Sequence, residues 1–564
     1  MKKKKWIFLI AFVTLTAAVW AAQTQDKTGS LNIEQRITGV LSEWNRLDRP
    51  GISVTVVKDG KVVFQKAYGL ASMEHYIPIT DKTLFHTVSI AKPMTGMAIA
   101  MLEVQGKISL EDDIREHIPE LPDFGKTVTI GDLLYHTSGI WDWSDALAAA
   151  GWHLEDVITF DHIMGIVKRQ QKLQFDPGSK YLFSDTNYNL LAETVKRVTG
   201  QSFRDWTREN IFRPLHMFKT VFRDQPGEPI ENQAYGYDYH LLRGYRKGGD
   251  NLSAVGSHCL FSSGQDMARW LLNLETGKVG GSTMIEKMFT PGVLDNGEKI
   301  DYAYGWHIDT YKGLKRFSVS GQLGGYNSIL HYFPEHKFGV VLLSNWISGW
   351  GNLAYPAREI VNVYLEAYLE KPAPPTDSTS KTEAFKPDPA GYDQYAGDYR
   401  WSPGFLVNVY REKDKLMLKI QGRSYQLFPL SETRFKFPFG DIQLDFQKNK
   451  EGKVDGFLLQ DVDESGGERI VPRIELVNPA PDELQEFTGT YYSRELDARY
   501  SIILRDKKLV ITHLRLSDVS LTPEARDHFT TNSSRYRMVE FIRDDRQKVS
   551  GFKMTGFEVI FNKI

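Results

Sequence analysis

A chain of 564 residues is too long for one hydrophobic core and points to roughly three or four domains. With 41% hydrophobic and 25% charged residues it has the make-up of a soluble globular protein, and a net charge of −2 argues against nucleic acid or an anionic membrane as partner. The single cysteine, Cys259, rules out an intramolecular disulfide and reads as a small buried hydrophobe.

Lys2 to Lys5 precede the apolar run Trp6 to Val13 and small residues up to Ala22. That order is a secretory signal peptide over 1–21, cleaved after Ala21, which sends the protein to the periplasm or the exterior. No membrane span is expected once it is removed. Ile52 to Val57 and Lys61 to Lys66 flank Lys58-Asp59-Gly60 and read as a β-hairpin. Pro93 to Gln105 should be helix, stopping at Gly106, and Asn187 to Val198 another, stopping at Gly200. Asp266 to Thr276 and Ala357 to Leu369 read as further helices, and Asn327 to Phe333 and Phe338 to Asn345 as strands. Helices therefore separate early strands from late ones.

A Pro- and Ser/Thr-rich stretch from Lys371 to Thr382 reads as linker, with few contacts depending on it. All-β texture follows, and it repeats. Tyr395-Ala396-Gly397-Asp398-Tyr399 answers Phe487-Thr488-Gly489-Thr490-Tyr491 at an offset of 92, and Phe446 and Phe457 answer Phe541 and Phe552 at 95. Each copy is long enough to close as a small barrel. The expected division is signal peptide 1–21, an α/β domain 30–371, linker 372–386, and β-barrels 387–475 and 482–564.

The chemistry starts at Ser89-Ile90-Ala91-Lys92, at the head of the Pro93 helix. A serine hydroxyl needs a base, and a lysine one helical turn on can reach it. A second match, Ser378 to Lys381, falls in the linker. Around Ser89 the context is richer: Pro50-Gly51, Phe85 to Lys92, Leu133 to Gly139 with His136-Thr137-Ser138-Gly139, Phe183-Ser184-Asp185-Thr186-Asn187-Tyr188, and Gly321-Gln322-Leu323-Gly324-Gly325-Tyr326. These blocks, in this order, resemble the serine β-lactamase and penicillin-binding-protein superfamily, on its branch of class C β-lactamases, D-alanyl-D-alanine carboxypeptidases and family VIII esterases. The trailing pair of β domains is similar to the lipocalin-like barrels of D-aminopeptidase. The resemblance implies an antiparallel sheet flanked by helices, Ser89 as nucleophile, Lys92 as its base, and an oxyanion held by the amides of Ser89 and Gln322.

Two motif positions depart from the family. Where its second motif has Tyr-x-Asn, this chain has Phe183-Ser184-Asp185, and phenylalanine cannot relay a proton. Its third motif opens with lysine or histidine; here it is Val319-Ser320-Gly321, without a cation for a substrate carboxylate. Ser184, Tyr181 and His258 are candidates to replace the missing hydroxyl. Trp141, Trp143 and Trp152 read as core packing, with a lining of the cleft mouth as the alternative, and His136 reads as structural. The 14 histidines show no metal-binding spacing, and no cofactor is expected. The expected activity is serine hydrolysis of a small ester, amide or peptide, D-residues included. The alternative is an impaired protein that binds or senses cell-wall peptides with little turnover. The sequence leaves the oligomeric state open.

Overall fold

The computed structural model describes residues 32–564 except 241–242, 348–351, 371–387, 403, 421–422, 439–441, 462–467, 532, 534–535 and 555–558. The signal segment 1–21, the linker 372–386 and the second Ser-x-x-Lys lie outside the described residues.

Helix α1 (Ile33–Val40) leads into strands β1 (Ile52–Lys58) and β2 (Lys61–Tyr68). Asp59 (φ 49) and Gly60 (φ 73) both take positive φ, the pairing a tight hairpin turn requires. Helix α2 (Ala91–Val104) is rich in Ala, Met and Leu and buried on nearly every side. Helices α3 (Trp143–Ala149), α4 (Asp185–Thr199) and α5 (Gly264–Thr276) follow. The last two stop at Gly200 and Gly277 in left-handed C-caps. Strands β3 (Tyr302–Ala303), β4 (Trp306–Tyr311), β5 (Leu314–Leu323), β6 (Tyr326–Phe333) and β7 (Phe338–Ser344) precede helix α6 (Ala354–Leu365).

Among the described residues these strands make one seven-stranded sheet in the order β3-β4-β5-β6-β7-β1-β2, antiparallel throughout. The first and last strands of this sheet in chain order, β1 and β7, lie side by side within it. Val54, Val56, Val340 and Leu342 face α1 and α6. The opposite face joins a larger core that includes α2, α4 and α5. Strand β5 lies directly against the residues that open α2, which places the nucleophile segment at the sheet.

Two closed eight-stranded antiparallel barrels follow, spanning Gly397 to Ile474 and Gly489 to Lys563 among the described residues. The sequence repeat survives in atomic detail. Tyr399 donates to the Tyr395 carbonyl and Tyr491 to the Phe487 carbonyl, both at 2.7 Å. The first barrel has its own core, whereas the second barrel's core runs into that of the N-terminal domain. Tyr500 Oη donates to the Ala149 carbonyl at 2.9 Å, Arg169 to the Glu495 carbonyl at 2.8 Å, and Arg515 pairs with Asp156 at 2.6 Å. Among the described residues, no helix is long and apolar enough to cross a membrane.

Candidate active site

The chain reaches Ser89 under tension. Thr87 is anchored on both sides: its amide donates to the Leu260 carbonyl at 2.8 Å, and Ser328 Oγ donates to its carbonyl at 2.7 Å. Val88 then takes φ 51, a left-handed conformation that costs a β-branched residue about 1–3 kcal/mol. One turn of 3₁₀-helix, Val88–Ile90, carries Ser89 into α2.

Lys92 donates from Nζ to Ser89 Oγ at 3.0 Å and to the Ser257 carbonyl at 3.3 Å. Its side chain is 1% exposed, and Nζ lies 2.6 Å from Asp185 Oδ1. Asp185 is the first residue of α4, where the helix N-terminus favours a carboxylate. Its amide donates to Asp142 Oδ2 at 2.5 Å. Asp142 is pushed up to about 6, by burial first and then by the charge of Asp185.

The three candidates for the missing hydroxyl fare differently. Ser184 is buried, its Oγ donating to the Trp141 carbonyl at 3.2 Å and its amide to His136 Nδ1 at 3.2 Å. It secures the start of α4 rather than facing the nucleophile. Tyr181 packs edge-on against His136 at 6.1 Å, its hydroxyl pushed up to about 12 by burial. Only His258 is brought to the ion pair, with Nε2 3.8 Å from Asp185 Oδ2.

The hydrogen bonds around His258 fix its tautomer. Asn189 Nδ2 donates to the Ala254 and Val255 carbonyls, leaving Oδ1 to accept from Ser257 Oγ at 3.2 Å. With its proton so used, Ser257 Oγ accepts from His258 Nδ1 at 2.8 Å. The ring proton therefore sits on Nδ1, and Nε2 presents its lone pair towards Asp185. Burial, and then the Lys92 charge, hold this imidazole well below its ordinary pKa, so it is neutral at neutral pH. Trp143 packs edge-on to it at 6.4 Å.

Phe183 stands where the family places tyrosine. Its ring centre is 5.0 Å from Lys92 Nζ, a cation–π contact, and its other neighbour is His136 at 4.6 Å. His136 is structural in its contacts, accepting from Ser184 N and Asn187 Nδ2. In β5, Val319 is buried in the same apolar cluster as Val88, while Ser320 and Gln322 are exposed. Gly321 is laid against the nucleophile. A Cβ there would lie 2.7 Å from Ser89 N and 2.8 Å from the Val88 side chain, so only glycine permits the approach. Gln322 supplies the next amide along.

Asp142, Ser257 and Asn189 join the site without having been singled out in the sequence. Asp142 carried one local signal, an acidic N-cap before Trp143, accepting from the Ser144 and Asp145 amides. The others act through loop geometry. His307 is a further group near Lys92, its pKa lowered by its crowded surroundings and then by that charge. Among the described residues, no three His, Cys, Asp or Glu side chains cluster as a metal site.

A serine and a lysine at hydrogen-bond distance on a helix head, backed by an antiparallel sheet, define a serine hydrolase of the penicillin-recognising fold. The chain belongs to the β-lactamase family, whose model, "Beta-lactamase", matches residues 33–362. Penicillin-binding protein 4* of Bacillus subtilis (strain 168) is 27% identical over 431 residues, covering 72% of this chain and 92% of that protein. Protein flp of Staphylococcus aureus (strain N315) is 28% identical over 309 residues, covering 52% of this chain and 59% of that one. Among solved structures, the octameric penicillin-binding protein homologue from Pyrococcus abyssi matches with a TM-score of 0.53 at 22% identity, over 86% of this chain and 98% of that one. The D-amino acid amidase from Ochrobactrum anthropi SV3 matches at 0.50 and 20% identity, over 60% and 100%.

Proposed function

We propose that the protein is an exported serine hydrolase, periplasmic or extracellular, that turns over a small ester, amide or peptide through an acyl-enzyme on Ser89. The observation that carries this is the 3.0 Å bond between Lys92 Nζ and Ser89 Oγ beside the Lys92–Asp185 pair. Passing the ammonium proton to Asp185 frees the Lys92 lone pair to take the Ser89 proton as Oγ attacks the carbonyl. Lys92 then gives that proton to the leaving oxygen or nitrogen as its bond to the acyl carbon breaks, and recovers its own from Asp185, which returns to the carboxylate. The amides of Ser89 and Gln322, on either side of the Gly321 contact, hold the oxyanion; such a donor contributes about 3–4 kcal/mol. His258 Nε2 then takes a proton from the incoming water as its oxygen attacks the acyl carbon, and Asp185 stabilises the imidazolium formed. That proton is returned to Ser89 Oγ as the ester bond breaks and the acid leaves.

Val319 narrows the substrate. An apolar residue at the third motif offers no partner to a free carboxylate, which favours neutral esters, amides or amino-terminal peptides. One observation favours a second reading, a binder of cell-wall peptides that acylates and barely turns over: the Phe183 ring beside Lys92 cannot relay a proton. A fluorescent penicillin or a fluorophosphonate, beside a chromogenic ester, separates the two on wild type and Ser89→Ala. Labelling at Ser89 with steady ester turnover is the result expected. Labelling without turnover supports the binder, and full labelling of Ser89→Ala removes Ser89 from either role.

A further inference from the structure

Behind the nucleophile lies a buried charge network that the chemistry above does not use. His86 is wholly buried, with Nδ1 3.2 Å from Asp250 Oδ1, and Arg223 reaches the same oxygen at 2.9 Å. Burial would lift the Asp250 carboxyl, but His86 and Arg223 outweigh it and hold it below the ordinary carboxylate range. The other nitrogen of His86, Nε2, accepts the Cys259 amide at 3.0 Å. A ring nitrogen that accepts carries no proton, so the His86 proton sits on Nδ1, facing the carboxylate. The Cys259 carbonyl is held too, accepting from the Arg223 amide at 2.9 Å.

Cys259 needs this restraint. It sits at φ 67, a region that residues other than glycine rarely enter. His258 is the residue immediately before it, so the Cys259 backbone sets where the His258 ring points. A buried ion network adds little net stability over apolar packing of the same volume, which leaves geometry as its contribution.

We propose that His86, fixed by Asp250, is a positioning residue that pins the Cys259 peptide and thereby aims His258 Nε2 at Asp185. This rests on the role given to His258 under Proposed function. The two ring nitrogens can be separated by substitution. His86→Asn keeps a donor near the Nδ1 position for Asp250 but is too short to reach Cys259. His86→Gln keeps an acceptor near the Nε2 position.

The test uses the full chain, with histidine rings isotope-labelled and the His258 resonance identified by its loss in His258→Ala. In His86→Asn that resonance should shift, and deacylation of a chromogenic ester should slow about tenfold, with burst acylation much less affected. His86→Gln should stay within about twofold of wild type on both counts. A folded His86→Asn protein with an unmoved His258 resonance overturns the proposal. So does a folded His86→Gln protein that fails as badly as His86→Asn. Asp250→Asn supplies a third arm if His86→Asn does not fold: it removes the charge opposite Nδ1, and an unmoved resonance there overturns the proposal equally. If His258→Ala deacylates at the wild-type rate, the role of His258 falls instead, and the resonance alone decides whether His86 positions it.

Discussion

At the scale of single residues, turnover depends on what replaces a hydroxyl at Phe183. The ring is 38% exposed and faces Lys92, so a tyrosine there would bring an oxygen to the ion pair without repacking the core. If His258 already serves as the proton acceptor, Phe183→Tyr should help little in wild type and much more in His258→Ala. Steady-state ester turnover in the four proteins measures this, and no gain in either background removes position 183 from the relay. The pH profile tests the same assignment. The His258 pKa lies well below 6.5, chiefly through burial, so the ring stays neutral as the pH falls through 6.5. Asp142, at about 6, is the site group that titrates there, and it holds the Asp185 amide. In Asp142→Asn, turnover should therefore stay constant through pH 6.5 and fall only at more acid pH, when the ring protonates. An acid limb still centred near 6.5 in that variant would place the group responsible in water instead.

At the scale of elements, β5 and β6 carry two further expectations. Gly321→Ala pushes a methyl into the Ser89 amide and should cost about a hundredfold or more in acylation rate, read with a fluorophosphonate at unchanged circular dichroism. Wild-type labelling would mean that the strand and the nucleophile are not in contact during reaction. In β6, burial and then Arg316 push His331 down to about 3. The unfolded ring therefore binds its proton at higher pH than the folded one, so this contribution is complete above about pH 6.5 and drains away as the pH falls towards 3. One proton is worth about 1.4 kcal/mol per pH unit, so His331→Gln should flatten the loss of stability between pH 6.5 and 4.5 by about 2–3 kcal/mol. Parallel urea-unfolding series with equal slopes would sink it. The elements themselves were largely legible, because glycine stops and period-two alternation are local: the hairpin turn at Asp59-Gly60 and the helix stop at Gly200 stand where the sequence put them. The site was legible only in part. Ser89 and Lys92 are one turn apart and visible as a pair. That His258, rather than Ser184 or Tyr181, faces Asp185 depends on Cys259 in a left-handed conformation, on Asn189 fixing Ser257, and on His86 reaching across from another strand. None of those leaves a periodic trace.

At the scale of the whole molecule, the sequence led to an expectation of separable domains joined by a linker on which little depends. The repeat was readable because both barrels bury the same tyrosines and phenylalanines. The docking was not, because it joins the end of α3 to a barrel strand more than 300 residues away. The second barrel shares a core with the N-terminal domain and buries the Tyr500–Ala149 bond at the end of α3. The same helix begins at Asp142, which holds the Asp185 amide, and Trp143, which packs on His258. Barrel two therefore braces a wall of the cleft, and barrel one packs on barrel two, where Arg537 lies 5.0 Å over Phe405. The tightest point is Gly151, at φ 85, where a Cβ would fall 2.0 Å from the His513 ring. Gly151→Ala should both strain the turn and displace His513, loosening the barrel from α3. A chain ending after Glu370 should show the same effect in full: a lower melting temperature, because Trp152 and the end of α3 lose their cover, and slower labelling of Ser89 through a displaced Asp142. His513→Ala makes room for the new methyl, so it should recover part of the Gly151→Ala loss. Thermal unfolding and probe-labelling rates on the three proteins decide the matter. If the truncated chain melts and labels like the full one, the second barrel contributes nothing to the cleft, and its contact with α3 only holds the domains together.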